Sequence, residues 1–227
     1  MGLTREHLEI REGAIADAKI IAYLEEEVRG ALQLLSMVKE VIGSLDSLSL
    51  SRFKEVMDSA KRIKEETERT HRDLLAYISR VSPALYHRED WLRATYNVRN
   101  SIDRISGILY RLEFLVSRGW AVPQDVKVSI LELCESVIGV MESFRQIINL
   151  IPSNPSRALS QCSKLAHSET EADAKFRSST FVILSSNLSP NTVILLLNIA
   201  EMLEDVSDII YSASEDIYIV LTDMARP

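Results

Sequence analysis

Apolar residues recur along this chain at spacings of three and four, the period of one helix face, and the interruptions fall near prolines: Pro83, Pro123, Pro152 with Pro155, and Pro190. Between those breaks the pattern predicts helices over residues 4–43, 50–80, 86–118, 124–151, 155–186 and 191–224. Glycine is scarce, with seven in the chain, so few positions invite a bend. The expectation is an all-α protein of six long helices whose short connections favour antiparallel neighbours.

The six helices read as three written twice. A shift of 105 residues lays Phe53, Met57, Ala60, Leu75 and Ile78 on Ala158, Cys162, Leu165, Thr180 and Ile183, and lays Asp103, Ile105 and Leu112 on Asp208, Ile210 and Ile217. For the first and fourth helices an offset near 106 pairs Leu35 with Met141 and Val38 with Phe144. One offset running through two helices points to an internal duplication. The expected organisation is two pseudo-symmetric three-helix bundles, residues 1–122 and an acidic 123–227, together forming one domain.

Composition narrows the setting. At 227 residues, 46% hydrophobic and 26% charged, the chain can bury a core without covalent staples. Cys134 and Cys162 fall on apolar helical positions, which suits core filler in a reducing compartment better than a disulfide. The opening "MGLTREHLEIRE" is too charged for a signal peptide, and "TVILLLNIA" is too short to span a bilayer. The protein is therefore expected in the cytoplasm, reaching the inner face of a membrane only through a partner. Charge is uneven: 19 basic and 19 acidic residues precede Pro123, against 7 and 14 from there on, so the net −7 belongs to the second half. A nucleic-acid surface there is excluded, because phosphate backbones need a basic stripe. Cations or a basic partner are favoured instead.

Polarity interrupts the apolar pattern at two places. On the fifth helix Ala158, Cys162, Leu165, Phe176, Thr180 and Ile183 form one stripe, and Glu169 with Asp173 fall inside it, on the expected core-facing side. Ionised carboxylates there must be paired, hydrogen-bonded, protonated or bound to a cation. On the sixth helix Leu203, Val206, Ile210, Ala213 and Ile217 lie on one side, while Glu201, Glu204, Asp205, Asp208, Glu215 and Asp216 share an arc of ~120° on the other. Like charges three or four apart repel, and no lysine or arginine interleaves them on the arc. Oxygen-only ligands suit hard cations such as magnesium, calcium, manganese or ferric iron. On spacing alone a solvated acidic face accounts for the sixth helix equally well.

The first half differs at the matching positions. Lys64 stands where Glu169 stands, Glu68 where Asp173, His71 where Phe176, Arg99 where Glu204, and Asn100 where Asp205. That polar layer is expected to neutralise itself through pairs such as Lys64 with Glu68. Arg62, Arg69 and Arg72 read as a solvated face rather than a phosphate site.

Three stretches, "AKRIKEETERTHRDLLAYI", "CSKLAHSETEADAKF" and "LEDVSDIIYSASEDI", resemble the helix motifs of the PhoU-like proteins. The likeness is to the stand-alone group associated with Pit-type inorganic phosphate transporters, and it covers essentially the whole chain. The resemblance implies two pseudo-symmetric three-helix bundles and acid-x-x-x-aspartate motifs that can hold metal, in some members as iron or zinc clusters. Carried over, it puts Glu169, Asp173, Glu201, Glu204, Asp205 and Asp208 around a common cation site, with iron, zinc, manganese, magnesium or calcium as candidates. The first-half motif is broken at Lys64 and Arg99, which speaks against a second site. The implied function is regulation of phosphate uptake by contact with a transporter or its signalling partner, without catalysis.

Two alternatives stand beside this reading. One is a metal-free helical scaffold whose acidic helix docks onto a basic cytoplasmic loop; exposed stripes on the long helices also leave room for a homodimer. The other is a ferritin-like di-iron enzyme, which needs Glu-x-x-His twice. Only Glu68 to His71 supplies that spacing, since Lys164 precedes His167, and a lone histidine on a core stripe is more often a hydrogen-bonded structural residue.

Overall fold

The computed structural model describes residues 5–47 and 49–225, with side chains from Ile15 onward except at Ala84. Six α-helices follow one another: α1 Arg5–Gly43, α2 Leu50–Val81, α3 Arg88–Ser117, α4 Gln124–Leu150, α5 Pro155–Leu184 and α6 Pro190–Met224. The expected start of the first helix at residue 4 lies outside the described residues. The boundaries have local causes. Ser49, Asn154 and Ser189 cap α2, α5 and α6 by accepting the amide N–H three residues on, and Pro155 and Pro190 occupy the first turns of α5 and α6, where no amide donor is missed. Gly119, at φ 63°, ends α3 in the left-handed conformation that other side chains resist. The third helix starts at residue 88 rather than the expected 86, because Ser82–Ala84, around Pro83, form a 3-10 turn that delays it.

Packing follows the repeat. Within the first half α2 rests on α1 and α3; within the second, α5 rests on α4 and α6. The halves lie side by side, α1 against α4 and α3 against α6. Both cross-half pairs run antiparallel: Arg145 meets Glu25 at 2.7 Å and Lys39 meets Glu135 at 2.9 Å, while Arg93 meets Asp216, Arg104 meets Asp205, and Arg111 donates to Asn198. The 105-residue shift turns the Arg93–Asp216 pair into Asn198–Arg111, so one pseudo-twofold relation organises the α3–α6 seam. A single apolar cluster runs through all six helices. The sequence pairs Leu35/Met141, Val38/Phe144, Phe53/Ala158, Ile78/Ile183, Ile105/Ile210 and Leu112/Ile217 are buried on both sides. Cys134 and Cys162 are buried free thiols, and burial pushes the Cys134 thiol up to about 12, so it does not ionise near neutrality.

One polar pair interrupts the first-half core. Glu27 of α1, fully buried, meets the Nδ1 of buried His71 at 3.0 Å, and its other oxygen finds no hydrogen-bond partner among the described residues. Burial pushes the Glu27 carboxyl up, opposed by His71 and Arg99. Beside it α1 and α2 approach closely: a Cβ on Gly30 would lie 2.4 Å from the Thr67 methyl. His71 is thus the hydrogen-bonded structural histidine that the sequence suggested.

The second half solves the same level with Leu133 and Phe176. His71→Phe alone should destabilise the protein by about 3 kcal/mol, because it strands a buried carboxylate. The double variant E27L/H71F should recover most of that loss. Urea unfolding of the wild type, both single variants and the double variant measures the coupling; additive losses would contradict the assignment.

Candidate metal centre

The site lies in the groove between α5 and α6. Along the middle of α5 the buried residues are Leu165, Ala172 and Ser179, each seven after the last, and Ser179 donates to the Ser129 carbonyl of α4 at 2.7 Å. Small side chains at Ala172 and Ser179 let α5 lean onto α4. This corrects the sequence expectation: Glu169 and Asp173 do not point into the core but sit half-buried on the flank of α5 that faces α6. Phe176 and Thr180, assigned to the same apolar stripe, are half-buried there too.

On α6 the apolar side matches expectation, with Leu203, Val206, Ile210, Ala213 and Ile217 fully buried. The acidic arc divides. Asp208 turns to α5, and carboxylate oxygens of Glu169, Asp173 and Asp208 lie within 4.8 Å of one another. Glu204, one turn earlier and half-buried, shares their field. Partial burial pushes its carboxyl up to about 7, helped by the negative charges of Asp208, Asp205, Asp173 and Glu201. Burial and then mutual repulsion likewise raise Glu169 and Asp208 above the usual carboxylate range. Among the described residues one cation touches the group: Arg177 donates to Asp173 at 3.2 Å.

The remaining acids go elsewhere. Asp205 meets Arg104 of α3 at 3.4 Å. Glu201 is exposed and accepts from the Asn198 amide at 3.4 Å. Asp216, placed on the solvated arc by the sequence projection, is buried and accepts from Arg93 at 2.7 Å and Asn97 at 3.2 Å. These cations come from α3, where a projection of α6 cannot see them. Arg177 had a legible signal, the i,i+4 spacing from Asp173.

The corresponding layer of the first half is self-neutralised, though not by the expected partners. Lys64 reaches Asp103 at 2.9 Å rather than Glu68, and Arg99 bridges Asp103 at 2.8 Å and Glu68 at 3.3 Å. Burial works against Asp103, yet Arg99 and Lys64 hold its carboxyl below the usual range. The pairing runs between helices because α2 and α3 lie antiparallel with these residues facing. Arg62, Arg69 and Arg72 are exposed, as expected of a solvated face. Two layers of one design therefore differ in charge: Lys64, Glu68, Arg99 and Asp103 balance in one, while Glu169, Asp173, Glu204 and Asp208 are all acidic in the other. Among the described residues, Glu169, Asp173 and Asp208 form the one converging set of potential metal ligands. An all-carboxylate donor set fits a hard cation and fits a thiolate- or imidazole-preferring ion less well.

A carboxyl raised from 4.5 to about 7 binds its proton more tightly when folded. Glu204 therefore favours the folded state at low pH, and that advantage disappears as pH rises from about 4.5 to about 7. Glu204→Gln should stabilise the protein at pH 8 by ~1 kcal/mol, the shift being discounted for solvent screening, and should change little at pH 4.5. Thermal melts across that range, without added divalent ions, provide the check; an equal effect at both ends would contradict the repulsion.

No protein-family model matches the chain. No curated protein matches it either. Solved structures do. A crystal structure described as that of a PhoU-like phosphate regulatory protein from Shewanella oneidensis MR-1 superposes with a TM-score of 0.65 at 15% identity, covering 90% of this chain and 99% of that one. A crystal structure of a PhoU-like protein from the same organism gives a TM-score of 0.72, also at 15% identity, covering 89% and 99%. Six helices, side-by-side halves and near-complete mutual coverage together identify the architecture of this chain as the PhoU-like fold.

Proposed function

We propose that this protein is a PhoU-like accessory regulator of inorganic phosphate uptake, acting by protein–protein contact and carrying a cation between α5 and α6. The observation that carries the cation is the sign difference between the two layers: the first half supplies Lys64 and Arg99 where the second supplies Glu169 and Glu204. Glu169, Asp173 and Asp208 would hold the ion, with Glu204 in reach of the same field. Bound there, it would lower the repulsion among four carboxylates and brace α5 on α6. Glu201 and Asp205 stand outside the ligand set in this reading, one exposed and the other turned to Arg104.

The phosphate link rests on the fold shared with the PhoU-like phosphate regulatory protein of Shewanella oneidensis MR-1. The partner would be a phosphate transporter or its signalling partner, met through a basic cytoplasmic segment. Among the described residues no helix is long and apolar enough to cross a membrane, which agrees with peripheral contact. A di-iron enzyme is disfavoured. Glu68 is held by Arg99 and His71 by Glu27, so the one Glu-x-x-His spacing does not converge. The metal-free scaffold is the second reading, favoured by the exposure of Asp208 and by the guanidinium already on Asp173.

The two readings predict opposite signs. With a cation bound, manganese or magnesium should raise the melting temperature, and E169A/D173N should abolish that rise. Without one, the same variant should stabilise the protein and added metal should change nothing. E169K/E204R, which copies the first-half layer, should fold and lose any metal response. For the regulatory role, loss of the gene should alter uptake of labelled phosphate by the source cell; unchanged uptake would sink it.

A further inference from the structure

Among the described residues the four carboxylates at the α5–α6 groove have one resident positive neighbour, Arg177, and its geometry differs from that of the cations in the first half. Lys64 and Arg99 tie neighbouring helices together: Lys64 reaches from α2 to Asp103 of α3, and Arg99, besides pairing with Asp103 one turn on in its own helix, reaches from α3 to Glu68 of α2. Arg177 instead folds back on its own helix, its Nη1 3.2 Å from Asp173 Oδ2 one turn earlier. Its charge also eases Glu169, but among the described residues no ion pair or hydrogen bond joins it to α6. Its side chain is 59% exposed. It partly neutralises the α5 acids and leaves Glu204 and Asp208 of α6 facing them.

We infer that Arg177 is a displaceable counter-charge, which competes with a cation for Asp173 and so sets the concentration at which the site loads. This rests on the cation reading above. Arginine offers five donors and no lone pair, so it cannot share a metal as a ligand; a cation drawing on both oxygens of Asp173 must meet the guanidinium as a like charge or send it into water. An exposed i,i+4 pair is weak and the side chain is long, so departure needs no rearrangement of the helix. The first-half cations, braced between two helices and paired twice over through Asp103, have no such freedom. One half is thereby permanently neutralised, and the excess negative charge of the other is reduced further only when the surrounding cation concentration exceeds what Arg177 can hold off. A regulator that responds to its ionic surroundings needs that asymmetry; a permanently occupied structural site does not.

The test is manganese binding to the full chain by isothermal titration, comparing wild type, Arg177→Gln and Arg177→Lys. Arg177→Gln should bind roughly threefold to tenfold more tightly, since it removes one nearby positive charge and its pair, while Arg177→Lys should stay near wild type. Equal or weaker binding by Arg177→Gln, with wild-type binding intact, would overturn the inference and leave the cation site standing. Absence of binding in wild type and both variants would remove the site and the inference together. Magnesium gives an independent readout: the Arg177 Nε–H resonance, identified by its loss in Arg177→Lys, should move to the position of a solvated arginine as the site fills. A resonance that stays fixed at saturation would also overturn the inference.

Discussion

The antiparallel seam between α3 and α6 is the constraint on which the rest of the molecule depends. It joins the halves along their length and is registered by polar clamps at both ends: Asp216 with Arg93 and Asn97 at one, Arg111 with Asn198 at the other. Burying Asp216 is tolerable only because two donors reach it from α3. The seam fixes α6 in rotation as well as position. Its apolar side faces α3 and α4, and Glu204 and Asp208 are left facing α5. The outer helices α2 and α5 then complete each bundle from the flank, and what lies beneath them differs in charge.

That difference is where one fold carries two behaviours. Under α2 the charged layer contains its own cations, and its ion pairs cross from helix to helix, so they add to the cohesion of the first bundle. Under α5 the same layer repels itself, and the small residues Ala172 and Ser179 hold the helix mainly through α4. The acids sit half-exposed rather than buried, which lowers the cost of their repulsion and leaves them accessible to an ion. A duplicated helical unit can thus keep its core pairs and diverge in its polar layer, because the apolar cluster supplies most of the stability and the layer supplies little.

Much of this was legible in the amino-acid order. The 3.6-residue period and the prolines placed the helices to within one or two residues, since both act locally on the backbone. The Glu169, Asp173 and Asp208 group was also legible, because the helical period puts the first two on one face and the repeat aligns Asp208 with Asp103. Glu201 and Asp205 were placed with them, and Asp216 on the same arc of α6, only because a helical projection counts acids on an arc without knowing what stands opposite. Arg104 and Arg93 of α3 stand opposite Asp205 and Asp216 and draw them away, while Glu201 is exposed and accepts from Asn198 of its own helix.

By itself the sequence determined the all-α plan, the repeat, most of the buried apolar positions and the excess of negative charge in the second half, because each follows from residue type and spacing along one chain. Only the tertiary structure decided which charges meet. The rotation of α5 onto α4, the pairing of Lys64 with Asp103 rather than Glu68 and the burial of Asp216 depend on neighbouring helices and their angles about their own axes. Those angles are set by packing the whole core at once, with small residues at close approaches and large ones elsewhere, and no window of local sequence contains that information.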